Sequence, residues 1–197
     1  MNSHERIKLI QGYCQELFGN DSTGHDYFHL RRVANIASKI AEEEGADNFI
    51  CTVGAWLHDV GDKKLFSEPV KALNEMDNFL ISINVTKEQL EKIHLAIDDV
   101  SFSQGKVPMT MEGKIIQDAD RIDAIGAIGI ARTFAYGGAK GQLLYHDEDK
   151  DGTSVQHFYD KILRLKDTLH TDAAKIIATK RHAFIETYLE QFFDEWK

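Results

Sequence analysis

Apolar residues recur at steps of three and four along most of the chain, which is the spacing of a helix buried on one face. The positions that follow this spacing are Ile7, Ile10, Cys14 and Leu17, then Val33, Ile36, Ala37 and Ile40, then Ala72, Leu73, Met76 and Phe79, then Leu90, Ile93 and Ile97, and finally Val155, Phe158, Ile162, Leu169, Ile176, Phe184, Tyr188 and Phe192. Convincing stretches of period two, which would indicate half-buried strands, do not occur. The pattern therefore predicts an all-α fold.

Helix signals at particular residues divide this pattern into elements. Thr86 and Gln89 form a capping box, which predicts that a helix begins there. A long periodic stretch from about Met111 to Tyr136 predicts a single helix. Another helix is expected to begin at Thr153 and to continue through Leu169.

A dense apolar run from Phe49 to Leu57 predicts a buried helix, and Gly61 is expected to end it as a C-terminal cap. His58 and Asp59 would then lie in its last turn. Adjacent side chains on a helix diverge by about 100°. Both can therefore bind one ion only if the ion lies near that end of the helix, and other elements must complete the ligand shell.

A second polar cluster lies on the helix that follows His25-Asp26. His29, Arg32, Val33 and Ile36 are three or four residues apart, so the imidazole and the guanidinium are expected on the buried side of this helix. A histidine that only fills a core does not need an arginine beside it. The pattern therefore favours a functional role for His29.

A third cluster lies on the predicted helix from Met111. Asp120 and Asp123 share a face with apolar residues, where an uncompensated charge is costly by several kcal/mol. Ion pairs with arginines such as Arg32 would satisfy them, and so would a metal ion. His94 also lies on an apolar helix face, where a core role and a functional role are both open.

Together these clusters predict a metal site with mixed nitrogen and oxygen ligands from three separate helices. The candidate ligands are His29, His58, Asp59 and Asp120. Such a shell suits a divalent ion, Mn²⁺ first, with Mg²⁺, Fe²⁺, Ni²⁺ and Co²⁺ as alternatives. The candidate catalytic residues, which would supply acid or base groups and cations for developing charge, are Asp62, Arg32, Lys63, Lys64 and His94. For Lys64, simple solvation after a helix end is an equal alternative.

Length and charge limit the protein class. The 197 residues are expected to form one domain over 1–197, with a motif-bearing core at about 20–136 and C-terminal helices at about 153–196 packing on it. The formal charge of -9 argues against binding to nucleic-acid polymers or anionic membranes, because both need a broad basic surface. The two cysteines lie in apolar helical contexts and no long apolar span occurs, so a reducing cytoplasm is expected.

The candidate ligands occur in strings that resemble the HD-domain superfamily of metal-dependent phosphohydrolases, whose signature is a histidine, a later His-Asp pair and a distant aspartate. The strings are His25-Asp26 before His29, Arg32-Val33 after it, Leu57-His58-Asp59-Val60, Asp118-Ala119-Asp120-Arg121-Ile122-Asp123-Ala124, Gly126-Ala127-Ile128-Gly129-Ile130-Ala131-Arg132 and His157-Phe158-Tyr159. The last two resemble the small stand-alone bacterial branch related to YedJ and YpgQ, so the resemblance covers most of the chain.

The resemblance implies a single-domain, HD-type helical bundle that hydrolyses phosphate esters or anhydrides, with nucleotides as the leading substrates. It places Asp120 at the position of the last ligand, with Asp118 and Asp123 as neighbouring alternatives. The Gly-Tyr-Pro signature of the cyclic-dinucleotide phosphodiesterases is absent, since Gly12-Tyr13 is followed by Cys14. Cyclic dinucleotides are therefore disfavoured.

A small nucleotide is the expected substrate, because an acidic protein with few basic side chains near its one metal ion cannot bind many phosphate groups. The first choice is a nucleoside or deoxynucleoside triphosphate, cleaved to the monophosphate and pyrophosphate by a metal-activated water. The alternatives are hydrolysis of nucleoside monophosphates or of alarmones, and a catalytically silent metal- or nucleotide-binding module. A homodimer is left open. Aromatic residues that could stack on the base are Tyr27, Phe28, Phe102 and Tyr136.

Overall fold

The computed structural model describes residues 1–19, 25–98, 100 and 106–197. The helices are α1 Ser3–Phe18, α2 Tyr27–Glu44, α3 Asn48–Leu57, α4 Pro69–Ser82, α5 Lys87–Ile97, α6 Met111–Asp123, α7 Gly126–Ala139, α8 Ser154–Asp160 and α9 Asp172–Trp196, with a 3-10 helix at Ile162–Thr168. No strand occurs among the described residues, which confirms the all-α prediction.

The chain forms two compact units, Met1–Ala119 and Asp120–Lys197. The boundary falls inside α6, which continues through it to Asp123. The prediction of one domain over 1–197, with C-terminal helices packing on the core, stays a prediction.

In the first unit, α3 is covered by neighbours on every side. All its residues from Ile50 to Leu57 are buried, and it contacts α1, α2 and α5. Its N-terminus is fixed by Asp47, whose carboxylate accepts hydrogen bonds from the backbone N–H groups of Phe49 and Ile50 at 3.1 and 3.2 Å. A helix that is apolar all round is stable only in such a setting. The residues that follow it are therefore held by the core.

The start of α2 is fixed in the same way. Asp26 is its N-cap, and Oδ1 of Asp26 accepts a hydrogen bond from the backbone N–H of His29 at 2.7 Å. Gly45 ends the helix with a φ of 67°, a left-handed conformation that favours glycine. His29 therefore lies in the first turn of a helix whose beginning is well defined.

Within the first unit, α3 lies against the first part of α6. The backbone N–H of Asp47, before α3, donates to Oε1 of Glu112 at the start of α6, at 3.4 Å. Further along, a Cβ on Gly54 would lie 2.5 Å from Cδ1 of Ile116. The glycine therefore lets α3 and the first part of α6 approach closely.

The single helix predicted from Met111 to Tyr136 is instead two helices. Ile125 is extended, with φ -118° and ψ 159°, and Gly126 has a φ of 82°. A Cβ on Gly126 would also lie 3.1 Å from Cβ of Arg181 on α9. The apolar spacing continues across the break, so periodicity alone did not reveal it.

The second unit is built by α7, α8, the 3-10 helix and α9. Its aromatic side chains pack against one another, and the ring of Phe134 lies 5.8 Å from Phe158, 6.1 Å from Tyr188 and 6.5 Å from Phe192 between centroids. The helix predicted to continue through Leu169 ends at Asp160 and gives way to the 3-10 helix. In neither unit is any described helix both long enough and apolar enough to cross a membrane.

Gly129 on α7 allows the chain to fold back at the break. A Cβ there would lie 2.2 Å from the carbonyl oxygen of Ala124, which cannot rotate away. Gly129→Ala should therefore lower the free energy of unfolding by about 1–3 kcal/mol, measured by urea denaturation.

Gly138, on the same helix, provides the control, because nothing lies within 4 Å of its Cβ position. Gly138→Ala should leave the free energy of unfolding unchanged or raise it by up to about 1 kcal/mol. Equal effects of the two substitutions would show that close packing at Gly129 is not required.

Candidate metal centre and adjoining cavity

His58 and Asp59 follow directly on the last residue of α3. His58 keeps helical dihedral angles as the C-cap, and the chain then turns through hydrogen bonds from Val60 N–H to the Leu57 carbonyl (2.9 Å) and from Asp62 N–H to the Asp59 carbonyl (3.2 Å). The two residues thus lie just after the helix rather than within its last turn. This turn brings Nε2 of His58 to 3.5 Å from Oδ1 of Asp59.

The prediction that Gly61 is the C-terminal cap of α3 is wrong, because His58 is the C-cap. Gly61 instead completes the turn that follows, with a φ of 81°. A Cβ at this position would also lie 2.8 Å from Cγ of Leu73 on α4. Both the backbone conformation and the packing therefore require glycine here.

The tautomer of His58 follows from its contact with the backbone. Nδ1 of His58 lies 2.8 Å from the carbonyl oxygen of Ala55, and a carbonyl can only accept. Nδ1 therefore carries the proton, and in the neutral ring Nε2 carries the lone pair. Metal-binding imidazoles commonly hold their other nitrogen in this way, which fits His58 to the role of a metal ligand.

Two further imidazoles surround Asp59. Oδ2 of Asp59 lies 3.0 Å from Nδ1 of His25 and 3.8 Å from Nε2 of His29. The ring of His29 is fully buried and lies 5.7 Å from the ring of His25 and 5.5 Å from the ring of His58 between centroids. The side chains of His25, His29 and Asp59 each offer one ligand atom, and these three atoms lie within 4.8 Å of one another. This spacing could hold a metal ion.

Asp59 stays charged although only 7% of it is exposed. Burial alone would raise the pKa of its carboxyl group, but the imidazoles of His58, His25 and His29 outweigh burial and hold the pKa well below its usual range. The cluster therefore offers an anionic oxygen ligand between neutral or cationic rings. This is the donor chemistry that a divalent ion such as Mn²⁺ accepts.

His25 belongs to this cluster, although the sequence indicated it only as part of a family string. It lies before the N-cap Asp26, so the helical period of α2 says nothing about where its side chain points. Only the fold brings it to Asp59, which lies 34 residues later in the chain.

The remaining acidic candidates lie on α6. Asp120 is half-buried and belongs to the second unit, and Asp118 is fully buried. Asp123 is also buried, and its Oδ2 accepts a hydrogen bond from Arg132 at 2.7 Å. An ion pair with an arginine was one of the two roles open to this carboxylate, and Arg132 forms such a pair.

A cavity of about 400 Å³ adjoins the cluster in the first unit. The polar residues that line it are His58, Asp62, His94 and Asp98. Asp62 is half-buried, and its Oδ1 accepts a hydrogen bond from the backbone N–H of Lys64 at 2.7 Å. The structure thus brings three sequence candidates, His58, Asp62 and His94, to one cavity and adds Asp98, which the sequence analysis missed.

The cationic candidates lie nearby but do not line this cavity. Lys63 and Lys64 are exposed, and Arg32 is half-buried on α2, three residues after His29. Nε2 of His94 lies 2.7 Å from Oδ1 of Asp77 on α4, a partner that the sequence gave no reason to select.

Of the aromatic candidates, Tyr27 packs on Trp56 with 5.3 Å between ring centroids, while Phe28 and Tyr136 are exposed. Phe102 lies outside the described residues.

Several known proteins are similar to this chain. The family model described as HD domain matches residues 26–125. YpgQ from Bacillus subtilis (strain 168) is 40% identical over 195 residues, covering 97% of this chain and 94% of its own. The crystal structure of Bacillus subtilis YpgQ in complex with ADP is similar with a TM-score of 0.85 and 38% identity, covering 99% of this chain and 97% of that one.

A second solved structure, an HD-superfamily hydrolase from Bacillus thuringiensis, is 40% identical with a TM-score of 0.83 and covers 99% of this chain and 98% of its own. A predicted HD superfamily hydrolase from an uncultured Thermotogales bacterium is 26% identical with a TM-score of 0.70, covering both chains completely. The chain therefore belongs to the HD-domain family and is an HD-type metal-dependent phosphohydrolase.

Proposed function

We propose that this protein hydrolyses nucleoside and deoxynucleoside triphosphates to the monophosphate and pyrophosphate, using one divalent ion. The observation that carries the proposal is the cluster of three imidazoles around the charged carboxylate of Asp59, next to a cavity that contains Asp62 and His94. Nucleotides are supported as the substrate class by the ADP complex of YpgQ, a relative 38% identical in sequence.

The proposed ligands are His29, His58, Asp59 and Asp120. Asp120 is proposed because the resemblance to the HD-domain superfamily places it at the position of the last ligand. Asp123 is the weaker alternative, since Arg132 already binds its carboxylate.

Mn²⁺ is the proposed ion, and Mg²⁺, Fe²⁺, Ni²⁺ and Co²⁺ suit the same mixed ligands. When bound, such an ion supplies a Lewis acid that lowers the pKa of a water molecule and polarises a phosphoryl oxygen.

The protein's own groups then have distinct roles in the proposal. Asp62, half-buried at the cavity wall, orients and deprotonates the attacking water, and His94 assists from α5. Arg32, Lys63 and Lys64 contact the phosphates and offset charge that develops on them. The small number of cations in a chain of net charge -9 favours a single polyphosphate over a polymer.

Removing a ligand should remove the metal. His58→Ala should lower bound Mn²⁺ to background, measured by elemental analysis after dialysis, and should lower turnover by at least about 100-fold. Chelation of the native protein should abolish activity, and Mn²⁺ should restore it.

His4→Ala, at an exposed position on α1, is the matched control and should bind the ion normally. Full occupancy in His58→Ala would exclude His58 as a ligand. Full occupancy in Asp120→Ala would assign its role to another carboxylate, with Asp118 the next to test.

Asp62→Asn separates catalysis from metal binding. Because Asp62 is proposed to handle the water and not the ion, the variant should keep its metal content while kcat falls by about 100-fold or more. Glu88→Gln, the same chemical change at an exposed residue on α5, should have no effect. An unchanged kcat in Asp62→Asn would remove this residue from the mechanism.

The substrate is tested by incubating the Mn²⁺-loaded protein with ribonucleotides, deoxyribonucleotides, cyclic nucleotides and alarmones and separating the products by chromatography. Pyrophosphate formed in equal amount with the matching monophosphate is the expected result. Hydrolysis of monophosphates or alarmones alone would contradict it. Metal-loaded protein that turns over none of these compounds would instead support a silent binding module.

A further inference from the structure

An aspartate outside the cavity wall holds His94, which lines the cavity. Oδ1 of Asp77 on α4 lies 2.7 Å from Nε2 of His94 on α5. The side chains of His94 and Asp77 are 38% and 32% exposed. Asp77 itself does not line the cavity, whereas His94 does, together with His58 and Asp62. Asp77 therefore contacts His94 without being one of the residues that line the cavity.

The same face of α4 fixes the cavity at a second point. Leu73, one helical turn before Asp77, packs against Gly61 in the turn that follows the His-Asp pair. One rigid helix thus contacts the wall of the cavity through Leu73 and the imidazole of His94 through Asp77. Because Asp77 and Leu73 lie on the same helix, Asp77 keeps the imidazole of His94 at a fixed distance from the turn at Gly61.

The contact also selects the form of the ring. An ionised carboxylate only accepts hydrogen bonds, so the proton of the neutral ring lies on Nε2. Nδ1 then carries the lone pair and can accept a hydrogen bond from a water molecule or a substrate hydroxyl. An imidazole without such a contact would divide its population between two tautomers and several orientations. Only part of that population could then accept a hydrogen bond through Nδ1.

We propose that Asp77 is a positioning residue that fixes the orientation and tautomer of His94, so that Nδ1 of His94 accepts a hydrogen bond from the attacking water in the cavity. This inference deepens the proposed phosphohydrolase function and rests on it for the role of His94. The Asp77–His94 contact itself belongs to the fold and is testable without any substrate.

The first measurement is the tautomer of His94 in the full-length protein labelled with ¹⁵N at histidine. His94→Gln identifies the signals by their loss. The native protein should show His94 with its proton on Nε2, and Asp77→Asn should shift the ring towards the other tautomer, because an amide can donate to Nε2. A native ring with its proton on Nδ1, or the same spectrum in Asp77→Asn, would overturn the proposal.

The second measurement is a double-mutant cycle in kcat, using whichever nucleotide the protein hydrolyses. Asp77→Asn alone should lower kcat by about 10- to 100-fold, with KM and Mn²⁺ content unchanged. In the His94→Gln background the same substitution should change kcat less than about 2-fold, since Asp77 then has no ring to hold. Equal losses in both backgrounds would show that Asp77 supports the fold only, and would overturn the proposal.

Two further variants separate this role from a general effect on α4. Asp77→Glu keeps the carboxylate and should restore part of the lost kcat. Glu75→Gln changes an exposed acid on the same helix and should have no effect. If the substrate panel disproves triphosphate cleavage while the tautomer and the cycle behave as expected, the positioning role stands and only the substrate assignment fails.

Discussion

The buried charge of Asp59 is the constraint on which the first unit depends. A carboxylate in a protein interior costs several kcal/mol unless charged or hydrogen-bonding partners surround it. Here Nδ1 of His25 lies at hydrogen-bonding distance, 3.0 Å, and the rings of His29 and His58, at 3.8 and 3.5 Å, stabilise the charge when they are protonated. They come from separate parts of the chain, so the charge is tolerated only when the start of α2 and the end of α3 meet.

Small residues let other helices pack around the end of α3. Gly54 lets α6 approach α3, and Gly61 lets the chain turn sharply after Asp59 while α4 packs against it. Larger side chains at either place would separate the elements or redirect the turn. The close approach of neighbouring helices therefore sets the position of the candidate metal site as much as the ligand side chains do.

The cluster and the cavity explain how an acidic protein can handle a phosphate substrate. The net charge of -9 repels polyanions at long range. A divalent ion at Asp59, with exposed Lys63 and Lys64 after the turn, would reverse the field locally. The half-buried Asp62 lies at the cavity wall, whereas His25, His29 and Asp59 form a group that could hold an ion. The proposed hydrolysis assigns ion binding and the base function to different residues.

The sequence by itself determined the all-helical class, most helix positions and three members of the cluster, His29, His58 and Asp59. The helical period determines which face of a helix a residue occupies, and capping residues determine where the helix begins and ends. Both are local properties of the sequence. Local period could not reveal the break at Ile125 and Gly126, because the apolar spacing continues across it.

Only the tertiary structure decided which residues from distant segments meet. His25 lies outside a helix, and its contact with Asp59 depends on how α2 packs on α3. Asp77 reaches His94, and Arg132 binds Asp123, for the same kind of reason. Contacts between elements depend on their relative register and distance, which close packing of side chains sets and which no single segment encodes.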